Sequence, residues 1–236
     1  MSENRGGLLT AAIGGGVIGA ALMAVLLVFA GRTAVGDTIV RGALSRHPEI
    51  LVETADLLRD RQYAPTIAAN RLALETPFAS SWKGAAKPDA TLVYFYDYAC
   101  GYCRSSLPHI ERLIAEDKGL RVVFRELPIL GPDSIAASRL ALAASKSGRF
   151  SQFYAALYGA GRPGPDTFAT AARAAGISPT PVETPEYEAE LKRNFELAGQ
   201  LGATGTPLFV VGDRVINAAV GYDGLKKAVA AARAKG

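Results

Sequence analysis

Histidine, cysteine and methionine are scarce, with two of each in 236 residues. Two histidines leave few ligands for a metalloenzyme, and two cysteines cannot staple a disulfide-dense scaffold. Runs of basic residues are missing as well. Lys and Arg number 26 against 22 Asp and Glu, and the resulting +4 is spread along the chain. That argues against a phosphate-binding stripe and against nucleic acid as a partner. With 49% hydrophobic, 20% charged and 8% aromatic residues, the chain is not collagenous, purely coiled-coil or mostly disordered. One core usually serves ~100–200 residues, so the length suits one globular domain plus something extra.

One stretch lacks charge altogether, from Arg5 to Arg32. As a helix, Leu8–Ala30 would reach about 34 Å at 1.5 Å per residue, enough for a ~30 Å hydrocarbon core. The competing reading is a cleaved signal peptide ending at Val28-Phe29-Ala30. Signal cores run only ~7–15 residues, so a retained anchor is preferred. Gly15 and Gly19 form a GxxxG pair, read as the ordinary glycine content of a membrane helix. Arg5 stands before the segment and Arg32, Arg41 and Arg46 after it, which leaves orientation ambiguous, because a long C-terminal domain translocates largely regardless.

Beyond a Gly31–Gly36 link, the pattern predicts a helix over Pro48–Gln62 with Ile50, Leu51, Thr54, Leu57 and Leu58 on one face. Pro65 would open another, carrying Ile67, Ala68, Leu72 and Leu74. This stripe fits an oligomerisation surface as well as packing against its own domain. Glu75–Asp89 reads as a connector. Thr91–Tyr96 is a buried strand running into a helix that ends near Glu116, and Leu120–Leu127 is a second strand. A long helical region spans Pro132–Leu201. Within it Thr184 caps a helix opened by Pro185, with Tyr187, Leu191, Phe195, Ala198 and Leu201 inward. Leu208–Val211 and Arg214–Ile216 flank the turn Gly212-Asp213. A last helix covers Tyr222–Ala234. This order implies a small mixed sheet covered by helices.

Both cysteines fall where strand becomes helix, in Cys100-Gly101-Tyr102-Cys103. Spacing of three puts them on one face of the first turn, close enough for a reversible disulfide. Cys100, nearer the end, should be the more exposed. The positive helix end favours its thiolate, and CxxC thiols at such termini fall to about 3.5–7.5. A lower value also makes it a better leaving group. Cys103, behind it, would be the resolving thiol. A structural zinc site needs four ligands, and only His47 and His109 remain. Two thiolates could carry Cu(I), although Met1 and Met23 offer no nearby thioether. An inert core pair is the third alternative. Gly205-Thr206-Pro207 precedes a strand, and Pro207 is a cis-peptide candidate. A cis bond there would leave the Thr206 backbone free to pair with an extended partner chain beside Cys100.

CGYC after TLVYFYDYA, with Pro108 five residues past the second cysteine and TGTP before a hairpin, resembles the thioredoxin-fold disulfide oxidoreductases. FRELPILGPDS and the helical insertion narrow this to the DsbA-like group of the bacterial envelope, over about Asp89–Lys235. IVRGALSRHPEILVETADLLRDRQ is similar to the N-terminal region of ScsC-type members, some of which oligomerise through it. The resemblance implies that Cys100 is the nucleophile, Cys103 the resolving thiol, Pro207 a cis-proline facing them and Pro108 a kink in the active-site helix. It departs at two places. Tyr94 stands where many thioredoxins have a buried acid, and Tyr102 where DsbA-type oxidants have His. Asp97 and Glu126 are the carboxylates that could substitute in a proton relay, although solvated or capping roles are the simpler expectation. His109 is expected to be an ordinary surface residue.

The expected fold is therefore α/β: a thioredoxin fold with a large helical insertion at about 132–202, within a domain 77–236. An anchor and link (1–36) and a helical region that could oligomerise (37–76) precede it. The resemblance implies a protein thiol–disulfide oxidoreductase, oxidase or isomerase, with no cofactor beyond its redox-active disulfide and no metal. Its partners would be cysteine-containing exported proteins and a membrane redox partner, with homo-oligomerisation left open. Oxidising compartments preserve disulfides, which places the catalytic domain in the periplasm on an inner-membrane anchor. A membrane-anchored reductase of the cytochrome-maturation type and a non-enzymatic Cu(I)-binding envelope protein are the alternatives.

Overall fold

The computed structural model describes residues 22–28 and 34–234. The chain divides into two compact units, Met1–Leu57 and Leu58–Gly236. In the first, residues 22–28 are helical. They are followed by α1 (Ala34–Arg46), which starts inside the expected link, and by the beginning of α2 (Glu49–Glu75). Ile50, Leu51 and Leu57 of the expected apolar stripe are solvent-exposed here, as are Ile39 and Val40 of α1. Apart from residues 22–28, the apolar segment Leu8–Ala30 lies outside the described residues, as does its GxxxG pair. No helix among the described residues is long and apolar enough to cross a membrane.

In the second unit α2 continues without the break expected at Pro65, which sits inside the helix. A proline removes one backbone donor, and packing beyond it holds the C-terminal part of the helix. Ile67 and Leu74 are that packing, each 1% exposed. They are seven residues apart, about two turns, whereas Leu72 is rotated by roughly 140° from Ile67. Leu72 accordingly faces solvent, contrary to expectation.

The sheet has the order β1-β3-β2-β4-β5, built from β1 (Trp82–Gly84), β2 (Ala90–Tyr96), β3 (Leu120–Glu126), β4 (Leu208–Val211) and β5 (Arg214–Ile216). β2 and β3 are parallel, joined by α3 (Gly101–Glu116), and the remaining pairs are antiparallel. β1 lies in the stretch expected to be a connector. Three residues are too few to show a period of two, and only pairing such as Trp82 with Val123 makes them a strand. The long helical region resolves into α4 (Pro132–Lys146), α5 (Phe150–Ala160), α6 (Pro165–Ala175) and α7 (Pro185–Gln200). Gly176 closes α6 at φ 66, a left-handed cap that favours glycine. α8 (Gly221–Arg233) ends the fold.

Helices cover both sheet faces. Leu92, Tyr94, Tyr96, Val122, Phe124 and Phe209 form one core with α3, α5 and α8. Val93, Phe95, Leu208 and Val210 form the other with Ile67 and Leu74 of α2 and Leu197 and Ala198 of α7. Thr184 caps α7 as expected, its hydroxyl accepting from Tyr187 N at 3.2 Å. Leu191, Ala198 and Leu201 are buried as expected, but Phe195 is not, being 65% exposed. Arg125 decides this. It is 2% exposed in β3, and a buried cation requires partners. Its guanidinium donates to Glu190 Oε1 and Asn194 Oδ1, each at 2.9 Å. It also holds the carbonyls of Leu74 at 3.1 Å, Thr76 at 2.7 Å and Ala73. Glu190 and Asn194 therefore turn inward beside Leu191, Leu197, Ala198 and Leu201, and Phe195 turns out.

Candidate active site

Strand β2 ends at Tyr96, and the backbone turns through Asp97-Tyr98-Ala99 into Cys100, the N-cap of α3. The turn is held by one carboxylate. Asp97 Oδ1 accepts from Ala99 N at 2.8 Å and from the Ser134 hydroxyl at 2.7 Å. Its Oδ2 accepts from Ile129 N at 2.8 Å and Leu130 N at 2.9 Å. The Asp97 carbonyl takes Cys100 N at 3.1 Å and the Tyr158 hydroxyl at 3.2 Å. Asp97 is neither solvated nor a helix cap, contrary to both simpler expectations: it is buried, and Cys100 and Gly131 occupy the N-cap positions of α3 and α4. It ties the cysteine turn to the loop after β3 and to the start of α4.

Cys100 fills the N-cap position with sulfur, which accepts from Cys103 N at 3.4 Å and so satisfies one of the first-turn donors that a helix leaves open. Cys100 is 7% and Cys103 0% exposed, the expected ranking with less exposure of Cys100 than anticipated. Both are free thiols. Burial pushes the Cys103 thiol up to about 12. A backbone hydrogen bond at Asp97 and the hydroxyls of Thr206 and Tyr94 offset part of that burial, while neighbouring Cys100 adds to it.

The second element arrives through the sheet. Antiparallel pairing of Phe95 with Leu208 brings the residues before β4 to the end of β2. The Thr206–Pro207 peptide there is cis, and the Cys100 thiol donates to the Thr206 carbonyl at 3.2 Å. Cys100, Cys103, Thr206 and Pro207 are thus gathered in one place, with Gly101 and Tyr102 on the open side. Tyr102 is 71% exposed. With residues 204–207 and 217–219 it lines a groove of about 380 Å³. Arg104 anchors the helix, donating to the carbonyls of Tyr158 and Gly161 and lying 5.2 Å over the Tyr158 ring. Pro108 is inside α3 and exposed, and His109 is half-exposed beside it.

Glu126 departs from expectation, being neither solvated nor a cap. It is 1% exposed, with Oε1 3.0 Å from the Tyr96 hydroxyl and Oε2 buried without a hydrogen-bond partner. Burial pushes its carboxyl up to about 8, against the hydrogen bonds it accepts. Tyr94 fills its own position as an aromatic, stacked on Phe209 at 4.9 Å and Tyr96 at 5.2 Å. Its hydroxyl donates to the Cys103 carbonyl at 3.3 Å. The strand alternation carries the missed signal, since Glu126 has the same parity as Val122 and Phe124. Among the described residues no three His, Cys, Asp or Glu side chains converge as a metal site.

Residues 91–230 match the model of the DSBA-like thioredoxin domain. The chain belongs to the DsbA-like thioredoxin-domain family. A periplasmic thioredoxin-like protein from Salmonella enterica serovar Typhimurium is 30% identical, with a TM-score of 0.64 over 70% of this chain and 95% of that one. A thioredoxin-like oxidoreductase from Silicibacter pomeroyi is 36% identical, with a TM-score of 0.63 over 68% and 95%. Proteus mirabilis ScsC in a transitional conformation is 29% identical, with a TM-score of 0.67 over 85% and 94%. No curated protein matches the chain. The DsbA-like family consists of thiol–disulfide oxidoreductases, and the two thiols of this member stand at the N-terminus of α3.

Proposed function

We propose that this DsbA-like protein forms or isomerises disulfide bonds in exported proteins, with Cys100 as nucleophile and Cys103 as resolving thiol. The single observation that carries the reading is the Cys100 sulfur. It sits at the N-cap of α3, 3.2 Å from the Thr206 carbonyl, with Cys103 fully buried behind it. In the oxidative direction a substrate thiolate attacks the Cys100 sulfur of the joined pair. The Cys100–Cys103 bond breaks, and Cys103 leaves with the electron pair and takes a proton. A second substrate thiolate then attacks the substrate sulfur of the mixed disulfide and displaces Cys100. The substrate ends oxidised and the enzyme pair reduced by two electrons. In the isomerase mode the Cys100 thiolate attacks a wrong substrate disulfide and is released after reshuffling.

The backbone of Thr206 beside Pro207 and the groove under Tyr102 are where an extended substrate segment would lie, pairing edge to edge with the loop. Export to the periplasm agrees with the periplasmic Salmonella relative and with the compartment where disulfides persist. Leu8–Ala30 would hold the domain at the inner membrane, where a membrane redox partner would renew the pair. Residues 37–76 would mediate homo-oligomerisation, a role that suits their exposed apolar side chains. Insulin reduction and refolding of scrambled ribonuclease by the full-length protein test the reading. Turnover is expected in the wild type and lost in Cys100→Ala; unchanged turnover in that variant would reject it.

A further inference from the structure

A second groove, of about 450 Å³, opens between α3, α5 and strand β1. Arg104, Leu107, Pro108 and Glu111 recur at spacings of three and four and form its α3 wall. At about 100° per residue these positions lie across the helix from Tyr102. The groove shares no lining residue with the one under Tyr102, so filling it leaves the proposed substrate path open. Tyr154, Ala155 and Gly159 of α5 form the facing wall, and Lys83 comes from β1. The small side chains of α5 keep the space free, for a Cβ built on Gly159 meets nothing within 4 Å.

Tyr154 is 1% exposed, yet its hydroxyl has no hydrogen-bond partner. The groups acting on it most strongly are Tyr158, Glu111 and Cys103, two of them on α3, with Glu126 the weakest, which sets the hydroxyl on the α3 side of its ring. Burial raises the phenol well above its ordinary value, so it stays protonated and a donor. A dry donor without an acceptor is costly, and a ligand acceptor removes that cost. Lys83 reaches over the same ring, its ammonium 5.1 Å from the Tyr154 centroid and its side chain 15% exposed. One of its three N–H groups goes to Glu111 Oε1 at 2.5 Å, which leaves two. Glu111 is 48% exposed and free to swing aside. Arg104 adds a second cation. It holds the carbonyls of Tyr158 and Gly161 and, among the described residues, no carboxylate. Those carbonyls end α5 and supply only about half a negative charge. Two cations thus meet one carboxylate.

We propose that this groove is a binding site for a small organic monocarboxylate. The ligand carboxylate accepts from Lys83 Nζ and from the Tyr154 hydroxyl, and its apolar body lies along Leu107, Pro108 and Ala155. One added negative charge completes the balance of the groove. A cationic ligand would face Lys83 and Arg104, and a neutral one would forgo the charge-assisted bonds. The volume falls within the ~300–1,000 Å³ of small-molecule sites, and the lining has their character, an apolar surface with a few placed polar groups. Binding here needs no redox step, so the site stands apart from the reading of Cys100 and Cys103.

Titration of 3-phenylpropionate with the full-length protein, followed by broadening of the probe's aromatic proton resonances, tests the site. Saturable binding in about the millimolar range is expected for a ligand of this size. 3-Phenylpropanol keeps the body without the charge and should bind about tenfold more weakly. Lys83→Met and Tyr154→Phe should each weaken the acid about tenfold, whereas Glu111→Gln, which removes a like charge, should tighten it. Gly159→Leu fills the groove from a position with open space and should abolish binding with the melting temperature kept. Tyr154→Phe deletes only an unpartnered hydroxyl, so it should melt no lower than wild type. Equal binding of acid and alcohol, no saturable binding by wild type, or binding that survives Gly159→Leu overturns the proposal. A lower melting temperature in Tyr154→Phe also overturns it, since the hydroxyl would then be satisfied within the fold. Acid binding by a protein that fails to reduce insulin would instead reject the redox reading and leave this site standing.

Discussion

The Cys100 thiol and the Thr206 carbonyl meet at 3.2 Å although 106 residues separate them in the chain. The pairing of β2 with β4 makes the meeting, and the whole helical insertion is looped out between them. It places the Cys100 sulfur against the half-buried Thr206 while Cys103 is sealed beneath. The two thiols consequently face different environments, as the proposed nucleophile and resolving thiol require.

Selective alkylation should reveal that difference. With its thiol pushed up to about 12, Cys103 in a Cys100→Ala variant should react with iodoacetamide only slowly near pH 8, where about one sulfur in 10⁴ is ionised. Its rate should keep climbing at higher pH. Because the folded value exceeds the ordinary thiol value of about 8.5, this group's contribution to stability is complete below that pH and is lost as pH rises toward 12. A Cys103 that alkylates at pH 8 as fast as a free thiol would contradict the burial argument.

Glu126 gives a second pH signature, in unfolding. Its carboxyl is raised in the folded protein to about 8, so the native state binds the proton more tightly than the unfolded chain. The stability this group contributes is full below about 4.5 and is lost as pH climbs to 8, at about 1.4 kcal/mol per unit. Urea titrations should show wild type weaker at pH 8 than at pH 5 by a few kcal/mol, with Glu126→Gln much flatter. Parallel slopes for the two proteins would refute it.

Asp97 is expected to matter through four hydrogen bonds. Asp97→Ala leaves the amides of Ile129, Leu130 and Ala99 without their acceptor, at a loss of about 3–5 kcal/mol. Asp97→Asn retains one acceptor oxygen and should lose less. Hydrogen exchange at Ile129 and Leu130 should accelerate in both. Amides that stay as protected as in the wild type would show that the loop is held by something else.

Removing one member of the buried Arg125–Glu190 pair should be severe. Glu190→Ala strands a cation that is 2% exposed and should cost about 3–5 kcal/mol in chemical denaturation. Arg125→Lys should also destabilise, since an ammonium cannot span Glu190, Asn194 and the carbonyls of Ala73, Leu74 and Thr76 as the guanidinium fork does. A Glu190→Ala protein within about 0.5 kcal/mol of wild type would mean that Asn194 and the carbonyls suffice.

Much of the site could be read in advance because it is local. The run Thr91–Tyr96 is β-prone, the following turn opens a helix, and two cysteines three apart must share its first turn. The Gly212-Asp213 hairpin and the Thr184 cap are equally short-range. Strand β1 could not be read, because three residues carry no periodicity and become a strand only against β3. The outward turn of Phe195 was hidden for another reason. A hydrophobic pattern on α7 could not anticipate that Arg125, a residue of β3, would claim Glu190 and Asn194.

What the chain alone determined is the pair of sulfurs at a helix start, the strand before it and the Thr-Pro turn before a hairpin. These follow from backbone preferences and spacings within a few residues. Only the tertiary structure decided that Thr206 faces Cys100, that Asp97 ties the turn to the loop after β3, and that Glu126 lies dry beside Tyr96. Those outcomes depend on which strands pair and which faces are covered. Burial, which separates the two thiols chemically and raises the Glu126 carboxyl, exists only once the layers have closed.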